Sequence, residues 1–430
     1  VKRRFILGGG PLYDGRTFYA NGAVLVDDGA IAAVGSSCPI RAHHKASFID
    51  VKGRLILPGL LDAHTHLYSA LAPGLRPVGP TSTFPEILEN LWWQLDAAHD
   101  EESIYYSALV GIMDHLRSGV TTIFDHHASM DCVCGSLELI AKAVGETGIR
   151  ASLCFEASER TGRRAVADHI EENIEFYEAH REDPFVDGAM GLHANLTLGD
   201  ESLSEISASR PKDMPIHVHV GEAPEDLARC AREGFAGPVD RLNEHGLVDE
   251  HALLVHAIHL SGRDVALLRE IDPVIVLAPQ SNANNGVGHA DPASVRGFVL
   301  GTDGVSADMV ETLRSQYLLH QSLHAPLDGL ADTLFGRAAK VRSYHFPQTG
   351  DLAVGSRADI AVLDYVPVTP LDDRSLLGHL VFGARRAVAW MTVVDGRVVY
   401  ENGSFTLVDE ERIRSHAKRV ASRLHARFYG

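Results

Sequence analysis

Between residue 56 and about residue 345 the chain alternates apolar runs of four to eight residues with longer amphipathic segments, and this alternation constrains the fold most. It is the pattern of βα units around a parallel sheet, in which strands buried on both faces are joined by covering helices. Eight runs read as strands: Ile56–Asp62, Val120–Phe124, Arg150–Cys154, Ala189–His193, Ile216–Val220, Leu253–His256, Val274–Ala278 and Val299–Gly301. Eight such units fit a closed (β/α)8 TIM barrel, an α/β fold that takes about 250 residues. Between the first two runs lies a long excursion from Tyr68 to about Asp100 that carries Leu91-Trp92-Trp93. It reads either as a substrate loop, with Trp92 against the ligand, or as a buried helix with two core tryptophans. The next helix is clearly marked. Asp100 or Ser103 caps it, Ile104, Ala108, Ile112 and Leu116 recur every four residues, and Ser118-Gly119 stops it.

The chain ends have a different texture. Arg4–Leu7, Ala23–Asp27 and Ile31–Val34 read as short strands, as do Ile360–Leu363, Ala387–Val394 and Arg397–Tyr400, with Asp28-Gly29 and Asp395-Gly396 as hairpin turns. Because the termini of a domain often lie close together, both ends are expected to build one small β-sandwich interrupted by the barrel. The divisions are then 1–55 and 350–408 for the sandwich, 56–349 for the barrel, and 409–430 for a C-terminal helix over Glu410–Tyr429. Gly8-Gly9-Gly10 leads into Pro11-Leu12-Tyr13 rather than a helix, which excludes a dinucleotide loop.

Composition removes several function classes. With 45% hydrophobic and 22% charged residues the chain is an ordinary folded one, neither disordered nor a coiled coil. A net charge of −18 repels phosphate backbones and anionic lipid, so nucleic-acid and membrane roles are set aside. No signal peptide and no run of about 18 apolar residues is read, and a cytoplasmic protein is expected. The five cysteines are odd in number and scattered, as reduced thiols are; Cys132 and Cys134 lack the second pair that a structural metal site needs. The unusual count is 24 histidines, the commonest metal-ligand type, against 7 lysines.

Those histidines fall where a barrel places its site. Asp62-Ala63-His64-Thr65-His66 directly follows the first apolar run, and residues i and i+2 of a strand face the same side, which suits two imidazoles on one ion. The fifth run ends His217-Val218-His219-Val220-Gly221-Glu222, the sixth at His256, and the eighth in Thr302-Asp303-Gly304. Each alone could be a buried polar group with a structural partner. Together they stand at equivalent ends of one barrel. His43-His44 reads as a solvated loop and His126-His127 as a pair supporting the site from behind.

The segment Leu57-Pro58-Gly59-Leu60-Leu61-Asp62-Ala63-His64-Thr65-His66 resembles the metal-binding opening of the amidohydrolase superfamily. The likeness continues in Leu116-Arg117-Ser118-Gly119-Val120-Thr121-Thr122, His219-x-x-Glu222, Leu300-Gly301-Thr302-Asp303-Gly304 and Gly350-Asp351-Leu352-Ala353-Val354-Gly355-Ser356-Arg357-Ala358-Asp359-Ile360. The chain is similar to the branch holding cytosine and guanine deaminases, adenosine-type deaminases and triazine hydrolases, and Phe124-Asp125-His126-His127-Ala128-Ser129 further resembles the SsnA-type aminohydrolases.

The resemblance implies that His64, His66, His219 and Asp303 bind one divalent ion, Zn²⁺ before Fe²⁺. The fourth run offers no lysine of the kind that bridges two ions in related enzymes. His217 is the rival ligand, and His219 is preferred for its H-x-x-E spacing to Glu222. Such an ion lowers the pKa of a water towards about 7. Asp303 would then take that water's proton, Glu222 would protonate a ring nitrogen, and His256 would orient the attacking oxygen. His193 and Asn282 match substrate-side positions, Asn282 in Pro279-Gln280-Ser281-Asn282. The implied reaction is hydrolytic deamination of an amino-substituted nitrogen heterocycle with release of ammonia. Cyclic amide hydrolysis or dechlorination by the same chemistry, and a noncatalytic assembly subunit, are the alternatives. A small heterocycle is the expected partner and a homo-oligomer, a dimer, the expected state.

Overall fold

The computed structural model describes residues 4–384 and 388–430. Two parallel sheets occupy the middle of the chain. One holds Leu60–Thr65, Val120–His127, Arg150–Phe155 and Val186–Gly188; the other holds Met190–Ala194, Ile216–Val220, Leu253–His256, Val274–Leu277 and Val299–Leu300, each in that order. Parallel bridges Thr65–Asp303 and Ala157–Leu192 connect them at both edges. This is a TIM-barrel-type α/β arrangement. The fourth sequence run, Ala189–His193, begins at the point where the chain passes from one sheet to the other. Its preceding residues Val186–Gly188 pair with Arg150–Phe155, and Met190–Ala194 pairs with Ile216–Val220.

The first run also divides, which corrects the single strand expected over Ile56–Asp62. Ile56–Pro58 joins the sheet of the chain ends and Leu60–Thr65 begins the parallel one. The switch occurs at Gly59, whose N–H donates to Asp359 O while the next N–H, of Leu60, donates to Gly119 O. A Cβ at Gly59 would stand 2.2 Å from Thr121 Oγ1, so only glycine lets the backbone pass here.

Both chain ends contribute to one mixed sheet of nine strands. Its path runs Ser404–Phe405, Arg397–Glu401, Ala389–Val394, Ile360–Leu363, Ile56–Pro58, Phe5–Tyr13, Phe18–Asp27, Ala30–Ser36, with Ser47–Asp50 pairing Phe5–Tyr13 in parallel. Ala387, the first residue of one expected strand, lies outside the described residues. Phe5, Val24 and Val26 share a core with Ile360, Val362 and Met391, so residues more than 300 positions apart exclude water together. Buried Arg150 ties the parallel sheet to this one, with Nε 2.9 Å from Asp359 Oδ2 and Nη2 3.5 Å from Asp395 Oδ1.

The helix Glu101–Arg117 uses both candidate caps at once. Asp100 Oδ1 accepts from Ser103 N at 2.9 Å, while Ser103 Oγ accepts from Asp100 N at 2.8 Å. Its buried face carries Ile104, Ala108, Ile112 and Leu116. The helix Glu410–Tyr429 packs against it and buries Ala417, Val420, Leu424 and Phe428. His43 ends a short helix, Ser37–His43, instead of sitting in a loop. Among the described residues no helix is long and apolar enough to cross a membrane.

Candidate active site

The carboxyl ends of the parallel strands bring His64, His66, His219 and Asp303 to one point. His219 Nε2 lies 3.3 Å from Nε2 of both His64 and His66, and Asp303 Oδ1 lies 3.2 Å from His66 Nε2 and 3.9 Å from His64 Nε2. The strand register shifts between Asp62 and Thr65, which lets His64 turn inward beside Ala63. Asp62 holds this stretch from behind. Its Oδ1 accepts from Thr302 N at 3.0 Å, and its Oδ2 accepts from the Thr302 hydroxyl and from His115 Nε2 at 3.0 Å.

The hydrogen-bond partners assign the tautomers. His66 Nδ1–H donates to His126 O at 2.6 Å and His219 Nδ1–H donates to His193 O at 2.8 Å, so both Nε2 lone pairs point at the shared centre. His64 Nδ1 is engaged by His217 Nε2 at 2.9 Å, leaving His64 Nε2 to the same centre. His217 therefore sits behind His64, with its other nitrogen 3.7 Å from Cys154 Sγ. Burial and the crowd of neighbouring imidazoles push His64 and His219 well below the usual histidine range. Burial also works against a charged His66, yet the Asp303 carboxylate outweighs it and raises that imidazole to about 9, so Nε2 offers its lone pair to the centre once a cation takes the place of its proton. Three imidazole nitrogens joined by 3.3 Å contacts, two of them within 4 Å of a carboxylate oxygen, repel one another unless a cation sits among them. The donor set of nitrogens and one carboxylate oxygen fits a divalent ion of the zinc type.

Glu222 and His256 flank this cluster. His256 Nδ1–H donates to Asn282 Oδ1 at 2.8 Å, and His256 Nε2 faces Glu222 Oε2 at 3.4 Å and Asp303 Oδ2 at 3.9 Å. Burial raises the Glu222 carboxyl to about 7. The backbone turns left-handed at His256 (φ 75°), Ala257 (φ 49°) and Asp303 (φ 56°), a conformation costing on the order of 1–3 kcal/mol at each such non-glycine residue and concentrated at functional sites.

A cavity opens over the cluster, and Trp92, Trp93, His193, Glu156 and Glu222 are among its walls. The excursion proves helical, with segments Phe84–Ile87, Leu88–Trp92 and Trp93–Ala97; its tryptophans are half-buried beside the cavity while Leu95 is buried beneath. Asn282 is not on the wall. It is buried and holds His256, whereas its neighbours Ser281 and Asn285 reach the cavity. His126 and His127 are buried next to the cluster. Cys132 and Cys134 are outside every group of potential metal-binding side chains among the described residues. Sequence reasoning passed over Glu156, Arg160 and Asp96, which make a buried charged group at the cavity: Arg160 donates to both carboxylates.

Comparison with known proteins agrees with this geometry. The chain is 28% identical over 425 residues to the 5′-deoxyadenosine deaminase of Methanosarcina acetivorans, covering 95% of this chain and 94% of that one. Among solved structures it is similar to an adenosine deaminase from Xanthomonas campestris with bound zinc (TM-score 0.86, 21% identity, 98% of each chain). It is also similar to the E. coli guanine deaminase (TM-score 0.79, 19% identity, 93% of this chain and 99% of that one). Residues 55–399 match the model of the amidohydrolase family. The convergent histidines and Asp303 at the strand ends and this match over most of the chain give one conclusion: the protein belongs to the amidohydrolase family.

Proposed function

We propose that the chain is a metal-dependent aminohydrolase that replaces the amine of an amino-substituted nitrogen heterocycle with oxygen and releases ammonia. The observation that carries this reading is the convergence of three Nε2 lone pairs and Asp303 directly beside a buried Glu222–His256 pair. His64, His66, His219 and Asp303 would hold one ion, zinc by its donor set. When bound, a divalent ion supplies a water whose pKa is lowered towards about 7.

The chain's own groups do the rest. Asp303, held ionised beside His66 although burial opposes it, takes a proton from the attacking water. Glu222 is still protonated near neutrality and delivers its proton to the ring nitrogen next to the carbon under attack. His256, oriented by Asn282, holds the attacking oxygen in line. An amine on an aromatic C=N carbon needs all three services, because attack disrupts the ring and nitrogen departs readily only once protonated. His193 and Trp92, both on the cavity wall, would contact the heterocycle. The curated relative acts, by its name, on a 5′-deoxyadenosine, and one solved neighbour acts on guanine. The shared feature is an amine on a purine carbon.

In this reading residues 56–349 close into one barrel through the bridges at its two sheet edges, and residues 1–55 and 350–408 wrap their shared core as a sandwich. The test is a coupled ammonia assay of metal-loaded protein over amino-purines, pyrimidines, pterins and triazines, with products identified by mass spectrometry. Ring opening or chloride release without ammonia would overturn the deaminase reading.

A further inference from the structure

Glu156 has no task in the reaction as described, yet it stands at the reacting centre. It follows the strand Arg150–Phe155 and lines the cavity. One of its carboxylate oxygens lies within 4.8 Å of ring nitrogens of His193 and His219. Arg160 holds it there, with Nη2 donating to Oε1 at 2.5 Å and Nη1 donating to Asp96 Oδ2 at 2.5 Å. All three side chains are less than a tenth exposed.

The neighbours of that carboxylate do not satisfy it. His126 Nδ1 faces Oε2 at 3.5 Å, but the His126 N–H is spent at Nε2 on His217 O, so Nδ1 is a second buried acceptor without a hydrogen-bond partner. His193 Nε2 stands 3.9 Å from Oε1. Its Nδ1–H is spent on Thr197 Oγ1 at 2.7 Å, whose own hydrogen goes to Ala194 O, so Nε2 also presents a lone pair. A carboxylate accepts about four hydrogen bonds, and acceptors left unpaired in a dry site are costly. The wall therefore asks a ligand for an N–H donor.

We propose that Glu156 selects heterocycles whose scissile amine sits beside a ring N–H, the amino-lactam edge of isocytosine, guanine and pterins, over N9-substituted 6-aminopurines. The ring N–H donates to Glu156. In a 6-aminopurine nucleoside no ring nitrogen carries a hydrogen and N1, N3 and N7 are acceptors, so the same approach would set lone pair against lone pair. A site built to bond an N–H rejects an analogue lacking it by large factors, because its own buried groups are left unpaired. The proposal rests on the aminohydrolase reading: –NH–C(NH₂)=N– plus water gives –NH–C(=O)–NH– plus ammonia.

The experiment compares isocytosine and pterin with adenosine and 5′-deoxyadenosine on metal-loaded wild type and Glu156→Gln. Expected is a wild-type preference in kcat/KM of about 10²-fold or more for the N–H-bearing pair, lost largely through KM in the variant. Equal rates, or a preference for the nucleosides, would overturn it, and this wild-type comparison decides even if the variant does not fold. So would two ions per wild-type chain falling to one in Glu156→Gln, which would make the carboxylate a second metal ligand. Titration calorimetry of metal-loaded Glu222→Gln with the same four compounds separates the two readings. Tighter binding of isocytosine and pterin by Glu222→Gln, with no ammonia from any compound on metal-loaded wild type, would sink the deaminase reading alone. Ammonia from the nucleosides only would sink the selectivity alone.

Discussion

His256 presents Nε2 to Glu222 Oε2 at 3.4 Å while its own Nδ1–H is fixed on Asn282 Oδ1. The imidazole thus meets the carboxyl with a lone pair, and a protonated Glu222 has an acceptor waiting beside it. Burial favours that protonated form up to about pH 7. The left-handed backbone at His256 aims the ring at Glu222, out of the ordinary alternation of its strand.

Substituting Glu222 separates proton delivery from metal binding. Glu222→Gln keeps the size of the side chain and is not in the converging set, so the ion should remain at full content while kcat falls roughly 10²-fold or more. Loss of the metal, read by elemental analysis, would mean that Glu222 is a ligand.

Removing an imidazole from the converging set should do the opposite. Purified wild type should carry about one transition metal per chain, and His64→Ala should lose both the ion and the activity. Retention of the ion by His64→Ala would exclude His64 from the site.

Acid should destabilise the fold through histidines away from the metal. Burial pushes His99 and His169 down to about 4. The unfolded chain, with pKa near 6.5, binds more protons than the native one between pH 4 and 6.5, so stability is full above 6.5 and declines as pH falls towards 4, by roughly 3 kcal/mol per histidine at most. The melting temperature of metal-loaded protein should therefore drop between pH 7 and pH 5, and His169→Gln should flatten the profile. A melting temperature constant over that range would contradict the assignment.

Truncation tests whether the ends are one unit. Ile360, Val362 and Met391 complete the core of Phe5, Val24 and Val26, and Asp359 is the partner of buried Arg150. A chain ending at Gly350 exposes that core and strands Arg150, and it should be insoluble. A stable, active barrel from that truncation would show that the ends are separable.

Much of the site was legible because its groups sit in short motifs at strand ends. His64-Thr65-His66, His219-x-x-Glu222 and Asp303 each announce themselves within a few residues. Glu156, Arg160 and Asp96 did not, since their meaning comes from a contact across 64 positions and from burial, which a carboxylate in a sequence does not display. Asn282 was legible as a polar residue near the site, but only the 2.8 Å contact shows that it serves His256. For the fold, strand periodicity located the parallel sheets. It hid the sheet change at Gly59, because Ile56 to Leu61 is almost unbroken apolar sequence and both sheets demand the same residue types there.

The pairing of the strand Leu60–Thr65 with the residues after Val299–Leu300 has a mechanical consequence. Asp303 N donates to His64 O at 2.9 Å and Thr65 Oγ1 to Asp303 O at 3.2 Å, across a joint between segments about 240 residues apart. Gly301 passes so close that a Cβ would lie 2.8 Å from His64 Cβ. An ion held, as proposed, by His64, His66 and Asp303 would straddle that joint like a clasp. At a free concentration a hundredfold above its dissociation constant it would add about 2.7 kcal/mol to the native state. Chelation should therefore register first as faster amide hydrogen exchange around residues 62–66 and 301–304, before the helices outside them loosen.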